Sequence, residues 1–198
     1  LGLVPWMIVR TGVCIHPADG VAALPKVGGT KDVNLAKLRR LAPTHVLVNI
    51  DENRAETAQA LREFAPRVMV THPCAPADVD GLIAQVAETF AAVPGVAERA
   101  AELRAELQRE LALTQPGPDV PVLYLIWREP WMTVARDTYI SRLLARVGWQ
   151  TLPSRDGGDH GAARYPALRG DEPWLSGVRE VLLSSEPYAF TAEHIAQA

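Results

Sequence analysis

The sequence predicts an α/β fold made of two halves that one long helix joins. Short apolar runs alternate with amphipathic stretches, as in proteins whose parallel strands are connected by crossover helices. Residues 97–113 contain neither glycine nor proline and carry a repeating leucine stripe, which predicts an uninterrupted helix. Hydrophobic residues make up 48% of the 198, enough for one full core or two small ones, so global disorder is excluded.

Three candidate strands lie in the first half, at residues 7–9, 45–49 and 67–71. Each is apolar without strict alternation, as buried parallel strands are. A leucine repeat over residues 35–41 predicts a helix capped by Asp32 or Asn34, and a second helix is predicted over residues 53–64. We therefore expect a βαβαβ unit with right-handed connections.

The second half repeats this alternation after two helices, predicted over residues 77–92 and 97–113. Strands are predicted at residues 120–126, near Trp149 and at residues 180–183, with a helix over residues 138–147. The domain prediction is a first lobe of residues 1–94, a bridging helix of residues 95–115 and a second lobe of residues 116–198.

Composition and charge exclude several classes of protein. Twenty Lys and Arg stand against 23 Asp and Glu, a net charge of −3 that provides no broad positive field for nucleic acid. No apolar run reaches the roughly 18 residues that a membrane span needs, and the first residues show no signal-peptide pattern. Cys14 and Cys74 are interpreted as free thiols, with a single bridge between them left open.

Metal and nucleotide sites are not favoured by the spacing of the candidate residues. Cys14-x-His16 and His72-x-Cys74 do not have the spacing of a structural zinc site, so a metal site is the minor interpretation. The glycine-rich residues 28–32 lack the spacing of a phosphate-binding loop and are interpreted as a turn. His45 and His194 are interpreted as structural or solvated.

An enzyme is not expected, and no catalytic residue is assigned. The nucleophile motif G-x-S-x-G is absent from the sequence. Ser185 follows the last predicted strand but has no positioned histidine in the sequence pattern. A small α/β hydrolase that uses Ser185 and His160 is therefore kept only as an alternative.

The segment WREPWMTVARDTY, residues 127–139, is the most unusual in composition. It brings Trp127, Arg128 and Trp131 directly after a buried strand, where α/β proteins present their ligand-binding loops. Two amphipathic aromatics beside arginines suit a large, flat, partly anionic ligand. The alternative is that the tryptophans cover a core while the charges pair with one another.

Four segments together resemble a known family, the substrate-binding proteins of ABC importers for cobalamin and ferric siderophores. They are LPKVGGTK at residues 24–31, VNIDENR at 48–54, LIWREPWMTVARDTYI at 125–140 and SSEPY at 184–188. The resemblance to these helical-backbone metal receptors, or class III periplasmic binding proteins, implies two Rossmann-like lobes on a rigid helix. It implies a periplasmic or cell-surface monomer without a cofactor of its own, which captures a corrinoid or siderophore in the interlobe cleft for a permease.

The same resemblance implies which residues would touch the ligand. In the first lobe they are Cys14, Thr30, Asn49 and Asp51, and in the second Trp127, Arg128, Trp131, Tyr165, Ser185, Glu186 and Tyr188. Thr30 stands where cobalamin-binding members carry one large aromatic, and Asn49 or Ile50 stands where they carry another. Ala36 stands where the first lobe's docking acid is expected, whereas Asp171 and Glu172 suit the second lobe's docking acid.

The resemblance also implies that the chain is truncated at both ends. The first strand and any signal peptide would lie upstream, and a final strand downstream. A cytoplasmic ligand-binding or sensing protein of the same fold is the second interpretation, because the sequence shows no signal peptide and Ala36 replaces the docking acid.

Overall fold

The computed structural model describes residues 1–185 and 188–197, which form two compact units. Unit 1 comprises Leu1–His72 and Ala84–Glu102, and unit 2 comprises Pro73–Ile83 and Leu103–Ala198. Each unit contains one parallel sheet. Within the described residues, no helix has both the length and the apolar character needed to cross a membrane.

Unit 1 is built around a two-stranded sheet with helices beside it. In chain order its elements are α1 (Ala18–Val21), α2 (Leu35–Arg40), β1 (His45–Asn49), α3 (Ala55–Leu61) and β2 (Arg67–Thr71). The strands pair in parallel, so both end at the same edge of the sheet. The core cluster consists of Val27, Leu38, Val48 and Leu61.

The local signals for α2 and for both strands are confirmed. Asn34, and not Asp32, caps the helix: its side-chain oxygen accepts a hydrogen bond from the Lys37 N–H at 2.8 Å. This bond satisfies one of the N–H groups that a helix start leaves without a partner. The predicted strands at residues 45–49 and 67–71 are observed with those same bounds.

The predicted strand at residues 7–9 is wrong. Val4–Trp6 form a short 3₁₀ helix, and Arg10 makes one isolated parallel bridge with Lys26. Ile8 is 45% exposed, so this apolar run is not a buried strand. An apolar pattern identifies residues that suit a sheet, but a strand forms only where a neighbour supplies the hydrogen-bond ladder. Unit 1 therefore contains one βαβ arrangement, β1-α3-β2, in place of βαβαβ.

Two helices follow unit 1's sheet, α4 (Asp78–Thr89) and α5 (Val96–Leu113). The predicted long helix is confirmed, since α5 runs unbroken over 18 residues. The boundaries of the compact units fall inside both helices. The lobe limits expected at residues 94 and 116 remain a prediction. Within unit 2, Arg104 of α5 donates two hydrogen bonds to Asp80 of α4, at 2.9 and 2.8 Å, and this pairing lowers the pKa of Asp80.

Unit 2 carries a three-stranded parallel sheet in the order β4-β3-β5. Its further elements are β3 (Val120–Leu125), α6 (Tyr139–Ala145), β4 (Trp149–Thr151), β5 (Glu180–Leu183) and α7 (Ala192–Ile195). The central strand β3 is the most buried, with Val122 fully enclosed. Every strand and the helix predicted for this half are observed.

Candidate ligand-binding site

The tryptophan loop, residues 126–132, is a tight turn that directly follows β3. Its ends are joined by two backbone hydrogen bonds, from Ile126 N to Met132 O and from Met132 N to Trp127 O, both at 3.0 Å. Glu129, at the tip, has a φ of 67°, in the left-handed region that non-glycine residues rarely adopt. Main-chain hydrogen bonds therefore fix the conformation of the loop without using its side chains.

A second segment holds the loop from the side. Residues 164–168 run antiparallel to residues 131–135, with hydrogen bonds from Leu168 N to Trp131 O at 2.7 Å and from Thr133 N to Pro166 O at 3.0 Å. A third bond runs from Ala135 N to Arg164 O at 2.7 Å. These bonds set the position of Trp131 independently of its side-chain contacts.

The side chains of the loop meet those that follow β5 in an aromatic cluster of Trp127, Trp131, Tyr188, Phe190 and His194. Trp127 packs edge-on against Tyr188, with ring centroids 5.2 Å apart. Trp131 stacks parallel to Phe190 at 6.0 Å, and Tyr188 lies 4.7 Å from Phe190. Trp127 is still 41% exposed, so the cluster presents an accessible apolar surface.

Arg128 adds a positive charge to this cluster. Its guanidinium carbon lies 5.5 Å from the ring centroid of Trp131, a cation–π distance. One Nη1 hydrogen donates to Glu129 at 3.3 Å, whereas the buried Nε has no hydrogen-bond partner among the described residues. The guanidinium thus retains hydrogen-bonding capacity beside an aromatic face.

The residues that come after the loop have a different environment. Thr133, Val134, Ala135 and Thr138 are all buried. The Thr133 hydroxyl donates to the carbonyl of Tyr124 on β3 at 2.8 Å, which ties this stretch to the sheet. The unusual segment 127–139 therefore combines an exposed loop with a piece of the core.

Asp137, which is partly buried, forms a charge pair with the fully buried Arg164. Arg164 is 1% exposed; its Nη1 lies 3.7 Å from Asp137 and donates to Gly158 O at 2.8 Å. Asp137 also accepts the N–H groups of Gly157 and Gly158, at 2.8 and 2.9 Å. Partial burial raises the pKa of Asp137, but these N–H groups and the Arg164 charge outweigh it and lower the pKa below its ordinary value.

Fewer contacts are described for the remaining ligand-binding residues that were predicted in the second lobe. Tyr165 is half-buried and follows Arg164, whereas Ser185 is exposed. Glu186 lies outside the described residues. The structure describes both Ser185 and His160 of the hydrolase alternative, and no hydrogen bond joins them.

Unit 1 brings three predicted residues, Thr30, Asn49 and Asp51, into one polar cluster through Asn53. The Asn53 side chain accepts from Asn49 N and donates to Thr30 O, both at 2.9 Å. Asp51 N in turn donates to the Asn49 side chain at 2.8 Å. The cluster lies directly after β1, at the carboxyl edge of the sheet.

Lys31 and His72 complete this polar cluster. Lys31 Nζ donates to the Asp51 carbonyl at 2.5 Å, and His72 Nε2 lies 3.4 Å from the Asp51 carboxylate. The fourth predicted residue, Cys14, is exposed, with its thiol 3.0 Å from the Thr11 hydroxyl. Unit 1 therefore offers hydrogen-bonding groups where unit 2 offers aromatic rings.

The metal-compatible residues do not assemble into a recognisable ion site. No disulfide joins Cys14 to Cys74, so the bridge that the sequence left open is not formed. Over residues 1–185 and 188–197, no group of three or more His, Cys, Asp or Glu side chains is placed to hold a metal ion.

The candidate docking acids lie on a turn before a 3₁₀ helix at Pro173–Gly177. Glu172 accepts the N–H groups of Arg169 and Gly170, both at 2.9 Å, and the bond from Arg169 is the main cause of its lowered pKa. Asp171 is exposed and accepts from the Arg169 side chain at 3.1 Å. Ala36 is exposed on α2. The docking role of this turn stays a prediction.

Sequence reasoning missed Phe190, His194 and Asn53. Tyr188, Phe190 and His194 place three rings within seven residues after β5, a local concentration of aromatic side chains that could have indicated them. Asn53 was assigned only to a helix, although it lies two residues before α3 begins.

Comparison with known proteins matches this chain to solved structures alone: no protein-family model and no curated protein matches it. The periplasmic vitamin B12 binding protein BtuF of Vibrio cholerae has a TM-score of 0.73 and 16% identity, over 96% of this chain and 69% of its own. The periplasmic heme-binding protein RhuT from Roseiflexus sp. RS-1 has a TM-score of 0.65 and 20% identity, over 83% and 62%.

The periplasmic heme-binding protein HutB of Vibrio cholerae has a TM-score of 0.67 and 20% identity, over 89% of this chain and 67% of its own. All three proteins are named for a ligand that they bind, and none for a reaction. The predicted α/β architecture of the class III binding proteins is confirmed. The chain has the fold of the periplasmic substrate-binding proteins for vitamin B12 and heme.

Proposed function

We propose that this chain is the solute-binding component of an ABC importer and that it captures a metal chelate with a flat organic framework. The observation that carries the proposal is the aromatic cluster with Arg128 beside it. It lies where β3 and β5, two adjacent parallel strands, end, which is where open α/β sheets bind ligands.

The chemistry of the cluster favours a planar, partly anionic ligand. Indole and phenyl faces gain about 25 cal/mol for each Å² of apolar area that a ligand removes from water. The Arg128 guanidinium can give charge-assisted hydrogen bonds to carboxylates on the edge of such a ligand. Corrinoids and hemes combine a broad macrocycle with polar edge groups. Ferric siderophores are the alternative class within the same proposal.

In unit 1, we propose that Thr30, Asn49 and Asp51 bind polar groups of the ligand. Asn53 and Lys31 hold their main chain in place through side-chain hydrogen bonds. In unit 2, Tyr165 and Ser185 are proposed as further contacts.

The location and partner follow from the same proposal. The similar structures are periplasmic binding proteins, which supports a location outside the cytoplasmic membrane. We propose that the protein works there as a monomer. Its partner would be an ABC permease, with Asp171 and Glu172 on the docking surface.

The test is a binding titration of the purified chain with hemin, cobalamin and a ferric hydroxamate siderophore. Tryptophan fluorescence and ligand absorbance are followed together, so that quenching and a spectral change must report the same stoichiometry. We expect saturable one-to-one binding of at least one chelate with a dissociation constant below about 10 μM, roughly −7 kcal/mol. Failure of all three to bind, in a chain whose urea melt shows cooperative folding, would overturn the proposal.

A further inference from the structure

His194 occupies an unusual position at the start of α7. Thr191 precedes the helix, and its backbone N–H donates to His194 Nδ1 at 2.9 Å, while its hydroxyl lies 3.2 Å from the same nitrogen. This is a capping box, in which the third helical residue reaches back to the cap. Glutamate or glutamine ordinarily takes that role, and here a titratable imidazole takes it.

The same imidazole also contacts the aromatic cluster. Its ring lies 5.5 Å from Tyr188 and 5.9 Å from Phe190, edge-on in both pairs. Tyr188 in turn packs on Trp127, and Phe190 stacks on Trp131. His194 is therefore connected to both tryptophans of the loop through one aromatic ring each.

We propose that His194 is a positioning residue, which holds Tyr188 and Phe190 against the tryptophan loop while its imidazole is neutral and releases them when it is protonated. This rests on the proposed function, since the arrangement matters for binding a chelate. In the neutral ring Nδ1 accepts the Thr191 N–H, so the proton lies on Nε2. An imidazolium has donors at both nitrogens and cannot accept that bond.

The hydrogen bond from Thr191 sets the direction of the effect, because only the neutral imidazole can accept it. Tyr188 is the ionisable group that the His194 ring contacts. Arg128 lies over Trp131 in the same cluster. Glu193 precedes His194 on α7 and accepts from Gln197 at 3.4 Å. Among the described residues no carboxylate pairs with the imidazole. We expect acid to weaken the contacts of Tyr188 and Phe190 with the loop because protonation removes the acceptor of the Thr191 N–H.

The experiment measures hemin affinity by tryptophan quenching at pH 7.5 and 5.5 for the unaltered chain, His194→Gln and His194→Ala. Glutamine keeps a side-chain acceptor at the capping position but does not titrate in this range. On acidification, the hemin affinity of the unaltered chain should fall about 3- to 10-fold more than that of the glutamine variant. This is the effect expected from the loss of one helix-capping hydrogen bond. The alanine variant should bind more weakly than the glutamine variant at both values of pH.

A ligand-free measurement separates this inference from the proposed function. Tryptophan emission should change between pH 7.5 and 5.5 in the unaltered chain, as Trp127 and Trp131 lose their ring contacts, and should change far less in His194→Gln. Absence of hemin binding with this emission change present would count against the proposed function alone. Equal pH profiles of emission and of affinity in both proteins would overturn the role of His194.

Discussion

The tryptophan loop at residues 126–132 and the stretch that follows it, residues 133–138, are neighbours in sequence with opposite environments. Trp127 is 41% exposed and Arg128 Nε lacks a partner among the described residues, whereas Thr133 and Val134 are 0% exposed. Polar side chains of the second stretch make their hydrogen bonds within the protein at two positions: Thr133 donates to β3, and Asp137 accepts two backbone N–H groups.

This difference separates two roles that composition alone does not distinguish. A polar residue after a buried strand stabilises the core when its hydrogen bonds are made within the protein. It can bind a ligand when its hydrogen-bonding groups have no partner within the protein. Substitutions at the buried or internally hydrogen-bonded residues of this stretch, which do not include the exposed Arg136, and in their partners should therefore act on folding. Substitutions in the loop should act on ligand affinity.

The largest effect on folding is expected for Arg164→Met. Removing this buried guanidinium leaves the Asp137 carboxylate without its counter-charge, which should lower the free energy of unfolding by about 3–5 kcal/mol. Urea melts at pH 7 measure it, with Arg136→Ala, an exposed arginine of the same unit, as the control. An Arg164→Met variant as stable as the control would show that the Asp137–Arg164 pair does not stabilise the fold of unit 2.

A smaller loss, about 1–3 kcal/mol at pH 7, is expected for Asp137→Asn, because hydrogen bonds to a charged acceptor are stronger than those to an amide. The folded-state pKa of Asp137 is lowered, so its contribution is present above the unfolded pKa of about 3.9 and is lost as the pH falls through the folded value. Urea melts of both proteins between pH 7 and pH 2.5 should therefore converge in acid. A constant difference over that range would contradict the assigned charge.

A still smaller loss, about 1 kcal/mol, is expected for Thr133→Val. Valine keeps the shape of the side chain but removes the hydrogen bond to the carbonyl of Tyr124. Urea melts report the change, and Ser176→Ala, which deletes an exposed hydroxyl of the same unit, should cost less than about 0.5 kcal/mol. Hemin affinity should be the same for both variants, and a selective loss in Thr133→Val would place this residue in the binding surface.

Much of the fold could be predicted because its signals are local. Helix α5 follows from a leucine stripe without glycine or proline, and β1, β2, β3 and β5 from apolar runs between turn residues. The run at residues 7–9 has the same local pattern and is not a strand. Whether a strand forms depends on a neighbouring ladder, which is a contact distant in sequence.

The residues of the candidate site also divide into those with a local sequence signal and those whose contacts are distant in sequence. Trp127, Arg128 and Trp131 could be predicted from their composition and from their place after β3. Phe190 could not, because its contact with Trp131 depends on how the chain returns after β5, more than 55 residues later. His194 could not either, because it is connected to the loop only through Tyr188 and Phe190. The same holds for Asn53, whose importance comes from reaching back to Thr30.

The most direct test of the account compares Trp127→Ala with Trp6→Ala, which removes a more exposed indole in unit 1, 61% exposed. Hemin affinity is measured by absorbance, so that the loss of a fluorophore does not matter, and stability by urea melts. We expect Trp127→Ala to weaken binding by about 1–3 kcal/mol, the size of a binding hot spot, with less than about 1 kcal/mol of lost stability, and Trp6→Ala to change neither. Unchanged hemin affinity in Trp127→Ala, together with a loss of several kcal/mol in the urea melt, would show that this tryptophan closes a core and that the ligand surface lies elsewhere.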